Sequence, residues 1–179
     1  MDSMTATGKD CIFSDNFLSR DLVLGFSNRQ DGDMSLACGN TENVLNRRKA
    51  FLAKLGVDYR DIVCAKQAHS IRITSVQDSD RGKGALIYDT AIEGTDAMIT
   101  DRRNIPLSVF TADCLSVFLY SSKHKAIGLV HAGWRGTKEN ISAKAVSLMQ
   151  ERFNVPPPDL CVVFGPSIRQ CCYRVEKEC

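Results

Sequence analysis

The sequence predicts an α+β domain with mixed β-sheets. Three observations carry that prediction. Short apolar runs bounded by turn residues recur along most of the chain. Only two segments hold a helical apolar period over several turns. The length, 179 residues, fits one domain with a core of its own.

Taken in order, the expected strands are Leu22 to Phe26, Asp61 to Ala65, Ile71 to Val76, Ala97 to Thr100 and Leu107 to Thr111. Leu115 to Tyr120, Ala126 to Val130 and Leu160 to Phe164 complete the set. Arg81-Gly82-Lys83-Gly84 and Asp101 to Pro106 supply turn-rich breaks. The first helix is expected from Thr41 to Leu55, with Val44, Leu45, Phe51, Leu52 and Leu55 on one face and Gly56 as its stop. The second is expected to begin near Thr137 as N-cap and to end before Pro156-Pro157-Pro158. It turns Ile141, Ala145, Leu148, Met149 and Phe153 inward. Neither an internal repeat nor a low-complexity segment is visible, so residues 1–179 are expected to form a single domain.

Hydrophobic residues make up 44% and charged residues 25%, ordinary values for a soluble globular chain. The formal charge of +2 comes from 23 basic and 21 acidic residues that are well interspersed. Arg47-Arg48-Lys49, the longest basic cluster, lies inside the first helix and reads as a solvated face. Nucleic acid and anionic membrane are therefore not implied as partners. Met1 to Asp10 is polar, no run approaches membrane-spanning length, and a cytoplasmic location is the expectation. Nothing in the sequence sets the oligomeric state.

Eight cysteines are many for such a chain, yet they do not form a disulfide pattern. Cys64 and Cys161 lie in apolar runs, where a thiol acts as a small hydrophobe. Cys171 and Cys172 are adjacent; read as strand residues they face opposite sides, which argues against a shared metal ion. The chain has no C-x-x-C pair.

The most informative segment is His131-Ala132-Gly133-Trp134-Arg135-Gly136. It ends an apolar run on a histidine, turns on glycine and opens a helix, whose N-terminus offers unpaired N–H groups to an anion. His124 lies in a polar turn between two strands, whereas His69 follows a strand directly. Thr111-Ala112-Asp113-Cys114 is a polar interruption between apolar runs. His69, Cys114 and His131 together give two imidazoles and a thiolate, a three-ligand inventory with one tetrahedral position open, as catalytic zinc requires. On spacing alone, two satisfied strand-end histidines and a buried cysteine are the stronger reading. A third reading makes Cys114 a nucleophile with His131 as its base. Asp113 is either a carboxylate orienting one of the histidines or a turn residue. Arg135 either stacks near Trp134 or captures a phosphate or carboxylate, and Arg29 is a weaker candidate of the same kind.

Several motifs occur in a recognisable order: Lys66-Gln67-Ala68-His69, Asp96-Ala97-Met98-Ile99-Thr100, Thr111-Ala112-Asp113-Cys114-Leu115, the HAGWRG segment with Thr137, and Gly165-Pro166-Ser167-Ile168. With the segment ending at Arg29, they resemble the YfiH-type family, also called the polyphenol oxidoreductase (laccase-domain) or peptidoglycan-editing-factor family. The resemblance runs from about Gly25 to Tyr173. It implies zinc held by His69, Cys114 and His131, and an α/β-layered fold with mixed β-sheets packed between helices, related to a toxin deamidase fold. Arg169 and Arg174 stand where the family usually has glycine and glutamate, and Ser116 where it has proline. Family members continue past this point, so the chain is expected to be truncated at its C-terminus.

Three activities are attached to the family. A multicopper laccase needs several copper ions held largely by imidazole, and three histidines do not supply that inventory. Polyphenol oxidation is accordingly disfavoured. The resemblance implies phosphorolysis of adenosine, inosine, guanosine or methylthioadenosine, with deamination of adenosine. In that reading Cys114, His131 and Asp113 serve catalysis, and Arg135 and Arg29 place the phosphate. The runner-up is an amide hydrolase acting on peptidoglycan precursors, with Cys114 as nucleophile or ligand. A zinc-stabilised binding domain without turnover is a third class.

Overall fold

The computed structural model describes residues 22–39 and 41–174. The chain divides into two compact units, Met1–Tyr59 and Arg60–Cys179.

The first unit is organised on one helix, α1 (Thr41–Lys54). Val44 is buried, while Leu45, Phe51, Leu52 and Leu55 are half-buried beside it, as the apolar spacing predicts. Gly56 N–H donates to Ala53 O and Val57 N–H to Leu52 O, the paired bonds that close a helix on a left-handed residue. Arg48 departs from the expected solvated face. It is buried, and its Nε–H donates to Met34 O at 2.8 Å, so one member of the basic cluster ties a loop to the helix. Leu22 to Phe26, expected as a strand, forms none. It runs over α1 so closely that a Cβ on Gly25 would stand 2.5 Å from Leu55 Cδ1. Packing on a helix gives it no strand partner.

The second unit holds one parallel and one mixed β-sheet and two α-helices. In chain order they are β1 (Val63–Lys66), β2 (Ile73–Ser75), β3 (Ile92–Glu93), β4 (Ala97–Thr100), β5 (Leu107–Ser108), β6 (Leu115–Ser121), β7 (Ala126–Ala132), α2 (Trp134–Lys138), α3 (Ile141–Phe153) and β8 (Cys161–Phe164). A three-stranded parallel sheet has the order β3-β1-β5. A five-stranded sheet has the order β2-β4-β7-β6-β8, with β2 parallel to β4 and the remaining pairs antiparallel. The mixed-sheet α+β class is therefore observed.

Alternation along the strands sorts the side chains into two cores. Ala97, Ile99, Val117, Leu119, Val130 and Ala132 pack with Ile141, Ala145 and Met149 of α3. Met98, on the opposite face of β4, packs with Val63 and Ala65 of β1. The five-stranded sheet is thus covered by α3 on one face and meets the smaller sheet on the other. Each large side chain so buried contributes about 1.5–3 kcal/mol.

The second helix differs from expectation in its start. Gly133 caps α2, so Thr137 lies inside that short helix rather than at its N-cap. Asn140, at φ 59°, then breaks the chain direction and α3 begins; asparagine tolerates the left-handed region better than most residues. The strand expected over Leu107 to Thr111 stops at Ser108, because the backbone of Phe110 is engaged by a side chain. Among the described residues, no helix is long and apolar enough to cross a membrane.

Candidate metal centre

His131 lies on β7, one residue before its end, on the face turned away from α3. Its cross-strand neighbour on β6 is Ser116, and its N–H donates to Asp96 O at 2.7 Å on the other side. Asp96 immediately precedes β4 and is fully buried. Its carboxylate accepts from His131 Nδ1 at 2.8 Å. It also accepts the successive N–H groups of Ala68, His69 and Ser70 at 3.1, 3.0 and 2.7 Å, and the Ser70 hydroxyl at 2.7 Å. Burial pushes this carboxyl up, but the hydrogen bonds from Ser70, His131 and Ala68 outweigh it and hold the group below its ordinary value.

One carboxylate therefore does two things. It fixes the His131 proton on Nδ1, which leaves Nε2 as a lone-pair donor. It also holds the turn after β1, where His69 adopts a left-handed φ of 54°. That conformation costs a non-glycine residue on the order of 1–3 kcal/mol, and the three N–H bonds to Asp96 over-determine it.

Cys114 arrives on the loop before β6. Gln67 registers that loop against the turn: its Nε2 donates to Phe110 O at 2.8 Å and its Oε1 accepts Phe110 N–H at 2.7 Å. The Cys114 Sγ then stands 4.0 Å from His69 Nε2, and the two imidazoles meet edge-on with ring centres 4.8 Å apart. Each of His69, Cys114 and His131 presents a ligand atom within 4.8 Å of the others. Burial, then the charges of Asp113 and Asp96, push the Cys114 thiol up. Burial pulls the His131 imidazole down, against the raising effect of Asp96.

Gly133 completes the cradle. A Cβ there would lie 2.9 Å from His69 Cδ2, 3.5 Å from Cys114 Sγ and 3.7 Å from His131 Cε1. The donor set of two imidazole nitrogens and one sulfur, converging beside a residue without a side chain, fits a borderline-soft divalent ion.

The remaining expected site residues fall as follows. Asp113 is exposed, and the carboxylate that meets the His131 ring is that of Asp96, the first residue of the Asp96-Ala97-Met98-Ile99-Thr100 motif. Arg135 is exposed on α2, with its guanidinium 5.2 Å from the Trp134 ring centre. Arg29 is exposed in the first unit. The Ser116 hydroxyl is buried and has no hydrogen-bond partner. His124 is engaged elsewhere, its Nε2 3.1 Å from Asp159 Oδ2 at the far end of the β6–β7 pair.

Comparison with known proteins adds the following. Residues 24–179 match the family described as multi-copper polyphenol oxidoreductase laccase. The purine nucleoside phosphorylase YlmD of Geobacillus stearothermophilus is 37% identical over 145 residues, covering 80% of this chain and 53% of that protein. An adenosine deaminase from an unknown prokaryotic organism is 36% identical over 135 residues, covering 75% of this chain and 51% of that protein. The crystal structure of the Bacillus licheniformis hypothetical protein YfiH superposes with a TM-score of 0.76 at 40% identity, covering 78% of this chain and 52% of that one. The chain thus spans about half the length of the relatives it matches.

Proposed function

The chain belongs to the multi-copper polyphenol oxidoreductase laccase family, of YfiH type, and from that premise we propose that it serves purine nucleoside phosphorolysis around a zinc ion. The observation that carries the reading is the convergence of His69, Cys114 and His131 within 4.8 Å, positioned by Asp96. Relatives named purine nucleoside phosphorylase supply the substrate class. Adenosine, inosine, guanosine and methylthioadenosine are the proposed nucleosides, and the deaminase-named relative supports deamination of adenosine as a companion activity.

His69, Cys114 and His131 would hold the ion, and zinc suits two nitrogens and a sulfur. When bound, it supplies Lewis acidity. The chain's own residues do the rest. Asp96 keeps the His131 ring and the His69 turn in place, and Gln67 keeps Cys114 in register with them. Arg135 offers a planar guanidinium suited to bidentate phosphate. Phosphorolysis passes through an oxocarbenium-like state, so placing phosphate below the anomeric carbon is the main task.

Two alternatives are weaker. A cysteine nucleophile needs a depressed thiol pKa, and the surroundings of Cys114 push it up; that counts against the nucleophile form of the amide-hydrolase reading. A multicopper site needs more imidazoles than the two that meet here. The test is to incubate zinc-loaded protein with inosine and phosphate and follow hypoxanthine. Release that requires phosphate and disappears in Cys114→Ala supports the proposal. No release from folded, zinc-loaded protein contradicts it for this chain.

A further inference from the structure

Beyond β8 the chain runs beside the Cys114 loop, with Gly165 N–H donating to Ser116 O and Ile168 N–H to Asp113 O. It then leaves the sheet edge. Cys172 N–H and Tyr173 N–H both donate to Arg169 O, at 2.9 and 3.0 Å, and close a turn. In a strand Cys171 and Cys172 would face opposite sides and could not share an ion. The turn reverses that geometry: the two sulfurs are 3.4 Å apart, and both residues are exposed.

Two thiols held this close form a chelate, because the second bond to a bound centre is intramolecular. Thiolate pairs select soft centres. Coordination number narrows the choice further. A tetrahedral zinc ion wants four ligands, with bonds of about 2.3 Å that set two sulfurs roughly 3.8 Å apart. Among the described residues, the one group of three or more possible ligands is His69, Cys114 and His131. The cysteine pair therefore offers two donors at a narrower spacing. That suits a pyramidal trivalent centre, whose bonds to sulfur stand near right angles and which needs only two sulfurs when it already carries one organic group.

We propose that Cys171 and Cys172 form a vicinal dithiol site for trivalent thiophilic metalloid compounds, of which monosubstituted arsenic(III) oxides are the representative class. The site is separate from the His69, Cys114 and His131 group. Binding is a condensation without redox change. Both thiols lose their protons, two arsenic–sulfur bonds form, and the arsenic-bound oxygen leaves as water carrying those two protons.

The test is to treat the chain with phenylarsine oxide, wash with excess monothiol, and measure intact mass and the mass of the peptide carrying residues 171–172. A monothiol exchanges with singly held arsenic but not with a chelate, whereas a dithiol removes both. The expected result is one adduct that survives the monothiol, is released by a dithiol, and maps to that peptide. It should be lost in Cys171→Ser and in Cys172→Ser, and kept in Cys114→Ser. Circular dichroism of each variant separates loss of the site from loss of fold. No monothiol-resistant adduct on the folded wild-type chain, or an adduct kept by Cys171→Ser, overturns the proposal.

Discussion

The two ends of the β6–β7 pair carry the same couple, an imidazole on a carboxylate, in opposite settings. At one end His131 Nδ1 meets Asp96 at 2.8 Å with both side chains essentially out of water. At the other, His124 Nε2 meets Asp159 at 3.1 Å with both partly exposed and with Lys123 sharing the same oxygen. Lys123 first, and His124 second, draw the Asp159 carboxyl below its ordinary value. Asp96 lies below its ordinary value against the cost of burial, because backbone and hydroxyl donors surround it. The difference shows that the histidine–carboxylate couple organises its surroundings here where the carboxylate also collects main chain. Asp96 gathers a distant turn and a strand into one site, whereas Asp159 closes a surface contact.

Removing the carboxylates tests this contrast most strongly. Asp96→Ala strands His131 and three backbone N–H groups in a dry setting, and should lower stability by on the order of 3–5 kcal/mol in urea unfolding. Asp159→Ala should leave the urea midpoint unmoved, since exposed pairs contribute little. Equal shifts would erase the distinction.

Next in size is the Gln67 clamp. Gln67→Ala frees the Cys114 loop and should weaken zinc binding by about 10–100-fold in a chelator competition. Gln67→Glu keeps the acceptor for Phe110 N–H and should lose less. A smaller effect is expected for Gly133→Ala, where the new methyl must displace the His69 ring it would approach at 2.9 Å. Zinc affinity should fall there while the urea midpoint moves less than in Asp96→Ala.

The smallest effect is in pH. A carboxyl held below its ordinary value of 3.8 stabilises the fold above that value, and the contribution is lost as pH falls through the lower folded value. The stability gap between wild type and Asp96→Asn should therefore be flat down to about that pH and close beneath it. A gap that widens in acid would reverse the sign.

Much of the architecture was legible from local pattern. The period of α1 with its Gly56 stop and most strands followed from residue type and position. His69, Cys114 and His131 were visible as a ligand inventory, but spacing alone favours separate structural roles for them, and the family resemblance is what joins them into the group that converges within 4.8 Å. What escaped depended on partners far away in sequence. Asp96 reads as an ordinary residue before an apolar run, because its donors lie 26 to 28 positions earlier on a different turn and 35 positions later on β7. Gln67 is the same case, acting on a backbone 43 residues on. Arg48 reads as solvated until the loop at Met34 is seen against it. Leu22 to Phe26 has a strand's apolar content but lies on a helix. The left-handed break at Asn140 and the turn at Cys171-Cys172 carry no apolar period, so local pattern does not mark them.

The central claim is that His69, Cys114 and His131 form one metal centre while the histidine at the other strand end stands apart. Elemental analysis of purified wild type, Cys114→Ala and His124→Ala tests it most directly. One equivalent of zinc is expected in wild type and in His124→Ala, and its loss in Cys114→Ala. Zinc retained at full occupancy by Cys114→Ala, or several equivalents of copper in wild type, would contradict it.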